Sequence, residues 1–197
     1  MTSDSGTPSP TERDAEAAPR REAPARIVTA RLVCERFTMD HVAELAAVDT
    51  DWDVQRWLFG KLYTPEETRA RAQRRVDFWA EHGAGDYLVR TADGEFVGFA
   101  GFFPSPRPDA IAIGYALRPP YWRRGYGSEL AEMLTAVGST LGRAEIVATV
   151  RATNVGSRRI LEKAGFVPIE TVDGEEETLL YRLEKSARPV EISTAGG

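Results

Sequence analysis

The chain has 197 residues, of which 42% are hydrophobic and 28% are charged, and its net charge is −5. This length and composition are typical of one soluble globular domain with a sizeable core. An acidic chain lacks the basic surface that general nucleic-acid binding needs, and no apolar run reaches the length of a membrane span. The polar, acidic N-terminus does not resemble a secretory signal. We therefore expect a cytoplasmic protein with no membrane association.

The two ends of the chain differ in composition from the rest. Residues 1–26 are rich in Pro, Ser, Thr, Ala, Glu and Arg and carry hardly an apolar side chain larger than alanine. Such a segment cannot bury enough apolar surface to fold, so we predict a disordered N-terminal tail. Residues 186–197 are predicted to form a flexible C-terminal tail. One folded domain is therefore expected over residues 27–185.

The first half of this domain is predicted to begin with a strand and two helices. Residues 27–37 are predicted as the strand, and Thr38 or Asp40 is suited to cap the helix that follows. A second helix begins after Thr64, where a capping residue is followed by proline and, three residues on, by glutamate. It is predicted to run to about His82.

The remaining elements alternate strands and helices, and the predicted order is β-α-α-β-β-β-α-β-α-β-β. This order indicates a single mixed α/β domain whose fourth and fifth strands are parallel, because a helix connects them. The elements are a hairpin around Asp93-Gly94, a strand over Asp109–Leu117, a helix over Gly127–Leu141, a strand over Ala144–Arg151, a helix over Ser157–Ala164 and a hairpin around Asp173-Gly174.

The segment from Trp122 to Ser128, between the fourth strand and the next helix, is the most informative stretch of the chain. Gly125 and Gly127 have no side chains, so an anion can approach the backbone closely. The first turn of the helix adds unpaired N–H groups and the positive end of the helix dipole. The segment therefore predicts a phosphate or pyrophosphate site, although two glycines also suit a purely structural turn. No Lys-Ser/Thr pair follows the glycines, so a P-loop phosphotransferase is not indicated.

Three stretches carry a resemblance to a known family. They are TARLVCER (residues 29–36), IGYALRPPYWRRGYGSE (113–129) and NVGSRRILEKAGF (154–166). Together they resemble the GNAT acetyltransferases, and the branch that acetylates ribosomal-protein N-termini in particular. The resemblance covers about residues 27–185. It implies a single-domain α/β fold: a mixed central sheet of about seven strands, helices on both faces, and a CoA cleft between splayed parallel strands four and five.

The resemblance also implies acetyl-CoA as co-substrate, without a metal. Backbone groups of Tyr115, Ala116 and Leu117 would contact the pantetheine arm. Asn154 and Ser157 would line the far side of the cleft, although Asn154 alone could also be a simple helix cap. The residues that would hold the pyrophosphate are Trp122, Arg123, Arg124, Gly125, Tyr126, Gly127 and Ser128. Trp122 stands where the family often has Gln or Arg, but main-chain N–H groups hold the anion, so binding should survive.

The implied reaction is direct attack of an amine on the thioester, with the N–H near Leu117 stabilising the oxyanion. Relatives often carry a tyrosine that protonates the departing thiolate and a glutamate that acts as the base. Here those positions are Leu161 and Ala112. Ser157 is a candidate proton donor, and solvent is the alternative. Asp109, three residues before Ala112, points to the opposite face of a regular strand. The carboxylates that remain as candidate bases are Asp51, Asp53 and Glu35, none of them convincing.

The acceptor can be narrowed by the free energy of deprotonation. A lysine amine with a pKa of about 10.4 needs roughly 4.6 kcal/mol to become neutral at pH 7, whereas an α-amine near 7.8 needs about 1 kcal/mol. With no evident base, we expect a protein N-terminal α-amine as acceptor. A small-molecule amine, such as an antibiotic or a polyamine, is the alternative, and the acidic chain is compatible with a cationic substrate. A non-catalytic acyl-CoA-binding module is the rival outside the enzymes. The sequence is compatible with a homodimer.

Several other residues admit a functional and a structural interpretation. Cys34, the only cysteine, could be a nucleophile, but a free cysteine more often packs as a small apolar residue. His41 and His82 are expected at helix ends, and no histidine–cysteine cluster has zinc spacing. Arginines 69, 71, 74 and 75 indicate a basic helix face, either solvated or facing an acidic partner such as ribosomal RNA. The aromatic residues Trp52, Trp57, Phe59 and Tyr63 either border the acceptor site or belong to the core.

Overall fold

A mixed β-sheet of eight strands organises the part of the chain that the structure, a computed structural model, describes: residues 21–172 and 177–184. The strands are β1 (Arg26–Val28), β2 (Leu32–Arg36), β3 (Asp86–Thr91), β4 (Phe96–Phe103), β5 (Ala110–Leu117), β6 (Glu145–Arg151), β7 (Phe166–Val172) and β8 (Thr178–Leu183). They lie in the order β1-β2-β3-β4-β5-β6-β8-β7, and only β5 and β6 are parallel neighbours. The predicted α/β class is confirmed, with eight strands in place of about seven.

The additional strand lies at the N-terminal edge of the sheet, where residues 27–37 form a hairpin. β1 and β2 are antiparallel, with Ile27 opposite Cys34. The chain reverses in a short turn, in which the backbone N–H of Thr29 donates to Leu32 O at 2.9 Å. The single-strand prediction is wrong because Ile27, Leu32 and Cys34 are all buried, so the apolar pattern continues across the turn.

Five helices accompany the sheet in the described residues: α1 (Val42–Asp49), α2 (Trp52–Leu58), α3 (Pro65–His82), α4 (Tyr126–Gly138) and α5 (Val155–Lys163). The predicted capping box at Thr64 is confirmed at the start of α3, and Gly83 ends that helix with a φ of 68°. Thr38 caps a single 3-10 turn that leads into α1. The prediction lacked α2, which is too short to give a clear helical period. Its N-cap is Asp51, whose side chain accepts a hydrogen bond from the N–H of Asp53.

The helices cover both faces of the sheet, as predicted. α4 and α5 pack on the face that carries Ile113 and Leu117, and α4 buries the expected apolar stripe from Leu130 to Val137. α1, α2 and much of α3 pack on the opposite face against Leu88 and Phe99. One layer of helices therefore lies on each face of the sheet.

The predicted N-terminal tail is too long at its C-terminal end. Ala23 is 7% exposed and its N–H donates to Gly83 O at 2.7 Å, while the Tyr87 hydroxyl donates to Pro24 O at 2.8 Å. These contacts attach the segment before β1 to the end of α3. The hairpin turn at residues 173–174 and the C-terminal tail lie outside the described residues. No helix within those residues is long and apolar enough to cross a membrane.

Candidate functional site

Strands β5 and β6 pair only over their first three residues and then separate. The last pair joins Ala112 and Val147, although both strands continue beyond it. The rest of β6 pairs with β8 on its other side. The sheet therefore contains a wedge-shaped gap between its only two parallel strands, which is the splay predicted from the resemblance.

The gap is lined by backbone groups of β5 that no strand meets. The N–H of Arg118 donates to Val97 O at 2.9 Å, which sets the alternation of the β4–β5 ladder. By that alternation the N–H and C=O groups of Tyr115 and Leu117, which lie beyond the last pair with β6, point away from β4 and into the gap. The N–H and C=O groups of Ala116 point toward β4. The backbone of Ala116, which was expected to contact pantetheine, is therefore not directed into the cleft.

The turn between β5 and α4 presents a row of unused backbone donors. Arg123 and Gly125 adopt left-handed conformations, with φ of 59° and 81°. No side chain caps α4 at Gly125. Within the described residues, none of the backbone N–H groups of residues 123–128 donates to an acceptor. Such unpaired groups at a helix N-terminus form a ready site for a phosphate.

The side chains of the turn divide between solvent and core. Those of Arg123 and Arg124 are exposed, where they can add charge beside a phosphate. Trp122 instead turns inward, and its indole Nε1 donates to Leu117 O at 2.6 Å. A Cβ on Gly127 would lie 2.9 Å from Ile160 Cδ1, so this glycine allows α4 to approach α5. Tyr126 and Ser128, in the first turn of α4, are half-buried.

A charged network, which no local sequence pattern predicts, joins the turn to the β1–β2 hairpin. The Arg31 guanidinium lies 2.7 Å from the Glu129 carboxylate and donates through Nη1 to Arg124 O at 2.8 Å. The same carboxylate accepts from Thr29 Oγ1 at 2.6 Å and from the Arg31 N–H at 2.9 Å. Burial alone would raise the pKa of Glu129, but these hydrogen bonds outweigh it and lower the pKa. The carboxylate is therefore charged at neutral pH.

Arg31 makes two further contacts with the turn. The Arg31 guanidinium also stacks on the Tyr126 ring at 4.7 Å, and its Nη2 lies 3.3 Å from the position of a Cβ on Gly125. The quoted TARL and GYGSE stretches contain both partners of the ion pair, but their pairing across 98 positions of sequence is a long-range contact without a local signature.

Replacing Arg31 with alanine is expected to weaken acetyl-CoA binding about tenfold, with little change in the fold. The variant loses hydrogen bonds to a carboxylate and to the turn, which together correspond to about 1–2 kcal/mol. Isothermal titration with acetyl-CoA measures the effect. Arg26→Ala is the matched control, since Arg26 pairs with Glu35 across the same hairpin at 3.7 Å. Equal affinities of the Arg31 variant and the wild type would contradict a role of the network in binding.

The far side of the gap is formed by the start of α5. Asn154 is the N-cap of this helix, and its Oδ1 accepts from the N–H of Ser157 at 3.1 Å. The structural role of Asn154 as a cap is therefore present. The Ser157 hydroxyl lies 2.9 Å from the Tyr115 hydroxyl, which reaches across from β5. Leu161, where relatives often have tyrosine, is 2% exposed and belongs to the core.

The opposite face of the sheet beside the gap is apolar. Ala112 is buried there with Val147 and Leu180, and Phe103 and Ile169 pack against them. No carboxylate stands at the position before Ile113, where relatives often carry a base.

The other candidate bases have structural contacts. Asp51 caps α2, Asp53 lies 3.3 Å from Arg56, and Glu35 pairs with Arg26. Asp109 precedes β5 with a left-handed φ of 53°, so it is a turn residue and not part of the predicted strand. The contacts of Asp51, Asp53 and Glu35 are therefore a helix cap and two ion pairs, none of them with a residue that lines the gap.

Cys34 and the two histidines also lie apart from the gap. Burial, followed by the charges of Glu129 and Glu35, raises the pKa of the Cys34 thiol to about 12. A buried, protonated thiol is a poor nucleophile. His41 Nδ1 accepts from the Thr38 N–H at 3.1 Å, and His82 lies at the end of α3, as expected for residues at helix ends.

The predicted basic face of α3 is wrong for two of its four arginines. Arg71 donates to Asp49 Oδ2 at 3.0 Å, and Arg75 lies 2.7 Å from Asp86 Oδ2. Both carboxylates are buried, and burial raises the pKa of Asp86 against the opposing effect of Arg75. The pattern of charges along the helix did not reveal these inward ion pairs. Arginines 69 and 74 are exposed.

The aromatic segment around α2 is largely at the surface. Trp52 is 53% exposed and Phe59 is 59% exposed, so these two are not core residues. Trp57 and Tyr63 are half-buried, and Arg71 stacks on Tyr63 at 4.0 Å. The end of α2 also reaches β6, through a 3.5 Å contact between Arg151 Nη2 and Leu58 O. The segment therefore lies beside the open end of the gap.

Comparison with known proteins agrees with this geometry. A chain of known activity, the FsC-acetyl coenzyme A-N(2)-transacetylase of Aspergillus fumigatus, is 28% identical over 166 residues, which are 76% of this chain and 68% of that protein. The structure of the ribosomal L7/L12 alpha-N-protein acetyltransferase RimL with coenzyme A superposes with a TM-score of 0.65 at 20% identity, covering 79% of this chain and 94% of RimL. Spermidine N-acetyltransferase from Vibrio cholerae, with CoA and spermine, gives 0.68 at 12% identity, covering 80% and 99%.

The two structural likenesses show the fold. The sequence itself identifies the family, because residues 31–167 match the "Acetyltransferase (GNAT) domain" model. The matched range includes the Arg31–Glu129 ion pair, the gap between β5 and β6, the donor-rich turn and the start of α5. The chain belongs to the GNAT acetyltransferase family and is an acetyl-CoA-dependent N-acetyltransferase.

Proposed function

We propose that the acceptor is the α-amine of a protein N-terminus. The observation that carries this proposal is the apolar face beside the gap, where Ala112, Val147 and Leu180 stand in place of a carboxylate. An α-amine with a pKa near 7.8 is partly neutral at pH 7 and needs only a water molecule as base. A lysine or polyamine acceptor would need a stronger base or acidic side chains to receive its charge.

The donor site is proposed to use the gap along its full length. Backbone N–H groups of residues 123–128 receive the pyrophosphate, with Arg123 and Arg124 adding positive charge. The pantetheine arm lies along β5 and takes hydrogen bonds from the backbone of Tyr115. The N–H of Leu117 faces the same gap and stabilises the oxyanion of the tetrahedral intermediate.

Ser157 is proposed to meet the departing sulfur. The amine nitrogen attacks the thioester carbonyl, the carbon–sulfur bond breaks, and the proton that the amine loses ends on the CoA sulfur. The Ser157 hydroxyl lies across the gap from β5 and offers a hydrogen bond to that sulfur. Its hydrogen-bonded neighbour is Tyr115, at 2.9 Å.

A small-molecule amine is the second candidate acceptor. Two similar proteins favour it: the Aspergillus relative is named an N(2)-transacetylase, and the Vibrio structure is that of a spermidine acetyltransferase. The exposed aromatic side chains of Trp52 and Phe59 beside the gap are equally suited to a peptide or to a small apolar substrate.

A thiol-release assay with acetyl-CoA distinguishes the acceptors. We expect peptides with free N-termini to release CoA faster than spermidine, lysine or aminoglycosides. The rate at limiting peptide should rise with pH and level off above about 7.8, because only the neutral α-amine attacks. The matched control is the same peptide with an acetylated N-terminus and an internal lysine.

Equal rates for the free and the blocked peptide would overturn the α-amine proposal. A polyamine or antibiotic that outperforms every peptide would favour the second candidate. Tight CoA binding without thiol release across the whole panel would show that none of these amines is the acceptor.

A further inference from the structure

The Tyr115 hydroxyl is a polar group at the gap to which the proposed reaction assigns no role. Its only hydrogen bond in the described residues is to Ser157 Oγ, at 2.9 Å. The ring is half-buried between β5 and α4, with Cε2 3.5 Å from the position of a Cβ on Gly127. The hydroxyl therefore reaches from one wall of the gap to the other, where α5 begins.

Ser157 is fixed by two different contacts. Its backbone N–H donates to Asn154 Oδ1 at 3.1 Å, which sets the position of its Cα at the start of α5. Among the described residues its hydroxyl has one hydrogen-bond partner, Tyr115, which fixes the rotation about the side chain. A serine hydroxyl can donate one hydrogen and accept two hydrogen bonds. If it accepts from Tyr115, its own hydrogen remains available for a group in the gap.

We propose that Tyr115 is a positioning residue whose hydroxyl donates to Ser157 Oγ and thereby directs the Ser157 hydrogen toward the CoA sulfur. This inference rests on the proposed role of Ser157. Tyr115 itself does not touch the sulfur and ends the reaction in the state in which it began, since the net proton transfer is from the amine to the sulfur.

The environment keeps Tyr115 protonated and so able to donate. Burial raises the pKa of Tyr115 to about 12, and the hydrogen bond with Ser157 only partly opposes this shift. A phenol with that pKa stays protonated throughout the range in which the enzyme would act. The nearby charges of α5 are occupied elsewhere, because Arg158 and Glu162 both contact the Tyr181 hydroxyl. The carboxylate of Glu129 on α4 is held by Arg31.

The arrangement also explains how the site can function with Leu161. A tyrosine on α5 would reach the sulfur directly, whereas here the phenol comes from β5 and acts through a shorter hydroxyl on α5. The phenol and the serine together span the gap at the point where relatives use one side chain. The serine hydroxyl points its hydrogen at the sulfur only while the tyrosine hydroxyl donates to it, so both hydroxyls are needed.

The decisive measurement is binding, which needs no acceptor. Raising the pH to about 9 increases the ionised fraction of the CoA thiol, and with it the strength of a hydrogen bond to the sulfur. Titration calorimetry with CoA and with desulfo-CoA measures how much the protein favours the sulfur. We expect the wild type to bind CoA about tenfold more tightly than desulfo-CoA, and both Tyr115→Phe and Ser157→Ala to remove this preference. The double variant should behave like either single variant, since the two hydroxyls act in series.

Tyr181→Phe is the matched control. It also removes a phenol that hydrogen-bonds α5, but on the side away from the gap, so the preference for CoA should persist. Tyr115→Phe keeps the buried ring, and its melting temperature without ligand shows whether the fold is intact. A Tyr115→Phe protein that still prefers CoA, or effects that add in the double variant, would overturn the proposal.

Steady-state kinetics separates this inference from the choice of acceptor. With any amine that is acetylated, Tyr115→Phe should lower kcat about tenfold and leave the KM for acetyl-CoA nearly unchanged. If free N-termini fail as acceptors while the binding preference behaves as expected, the acceptor proposal falls and the role of Tyr115 stands. If the preference is absent in the wild type, the role of the hydroxyl pair falls whatever the acceptor.

Discussion

Replacing Gly125 with valine is expected to weaken acetyl-CoA binding about 10- to 100-fold while the protein remains folded. Gly125 has a φ of 81°, a conformation that costs a branched residue about 1–3 kcal/mol. The variant can relieve this strain only by rotating the backbone, which turns the N–H groups of the neighbouring residues away from a phosphate. The nearest atom to a new Cβ is Arg31 Nη2 at 3.3 Å, the end of a flexible side chain, so steric repulsion adds little. Titration calorimetry with acetyl-CoA measures the loss.

Gly94→Val provides the matched control for this prediction. Gly94 has a φ of 90° in the β3–β4 hairpin, and nothing lies within 4 Å of a Cβ built on it. The two variants therefore introduce the same kind of backbone strain, one at the proposed pyrophosphate turn and one in a hairpin outside it. We expect similar losses of thermal stability but a loss of affinity only for Gly125→Val. Equal affinities for acetyl-CoA in both variants would refute the assignment of the turn.

Replacing Asp49 with alanine is expected to lower the free energy of unfolding by about 3–5 kcal/mol. Asp49 is fully buried, and its carboxylate accepts from Thr68 Oγ1 and Arg71 Nε, both at 3.0 Å, and from Gln55 at 3.4 Å. Removing it leaves the Arg71 charge, whose side chain is 11% exposed, without its partner. Loss of one member of a buried ion pair has this magnitude. Chemical denaturation followed by circular dichroism measures the change.

Asp53→Ala is the control for Asp49. Asp53 is in the same region, at the start of α2, but its carboxylate is 60% exposed and pairs with Arg56 within one helix. An exposed pair of this kind contributes little to stability, so its loss should change the unfolding free energy by less than about 1 kcal/mol. Similar destabilisation by both substitutions would show that the buried contacts of Asp49 do not dominate.

The elements that the sequence predicted well are those with a local physical signature. The start of α3 follows from the capping box at Thr64, and its end follows from a glycine that tolerates a positive φ. The Asp93-Gly94 hairpin and the apolar stripe of α4 are of the same kind. The turn at residues 122–128 belongs with them, because its glycines and the helix that follows are adjacent in sequence.

The elements that it predicted poorly depend on contacts between distant residues. The reversal between β1 and β2 is invisible because buried residues continue across it. The inward direction of Arg71 and Arg75 depends on carboxylates from α1 and β3, and nothing in the arginine spacing indicates them. The Tyr115–Ser157 hydrogen bond joins residues 42 positions apart. For the candidate site, the sequence named candidate residues, but it did not reveal the contacts that orient them.

The early end of the β5–β6 pairing has a consequence for the sheet as a mechanical unit. Beyond Ala112 and Val147, the two halves of the sheet share no strand-to-strand hydrogen bonds. With acetyl-CoA in the gap as proposed, its amide-containing arm takes the place of a missing inner strand and joins the halves. Acetyl-CoA would then stabilise the sheet as well as supply the acetyl group. The release of CoA after each turnover would briefly return the sheet to its divided state, ready to take up the next acyl donor.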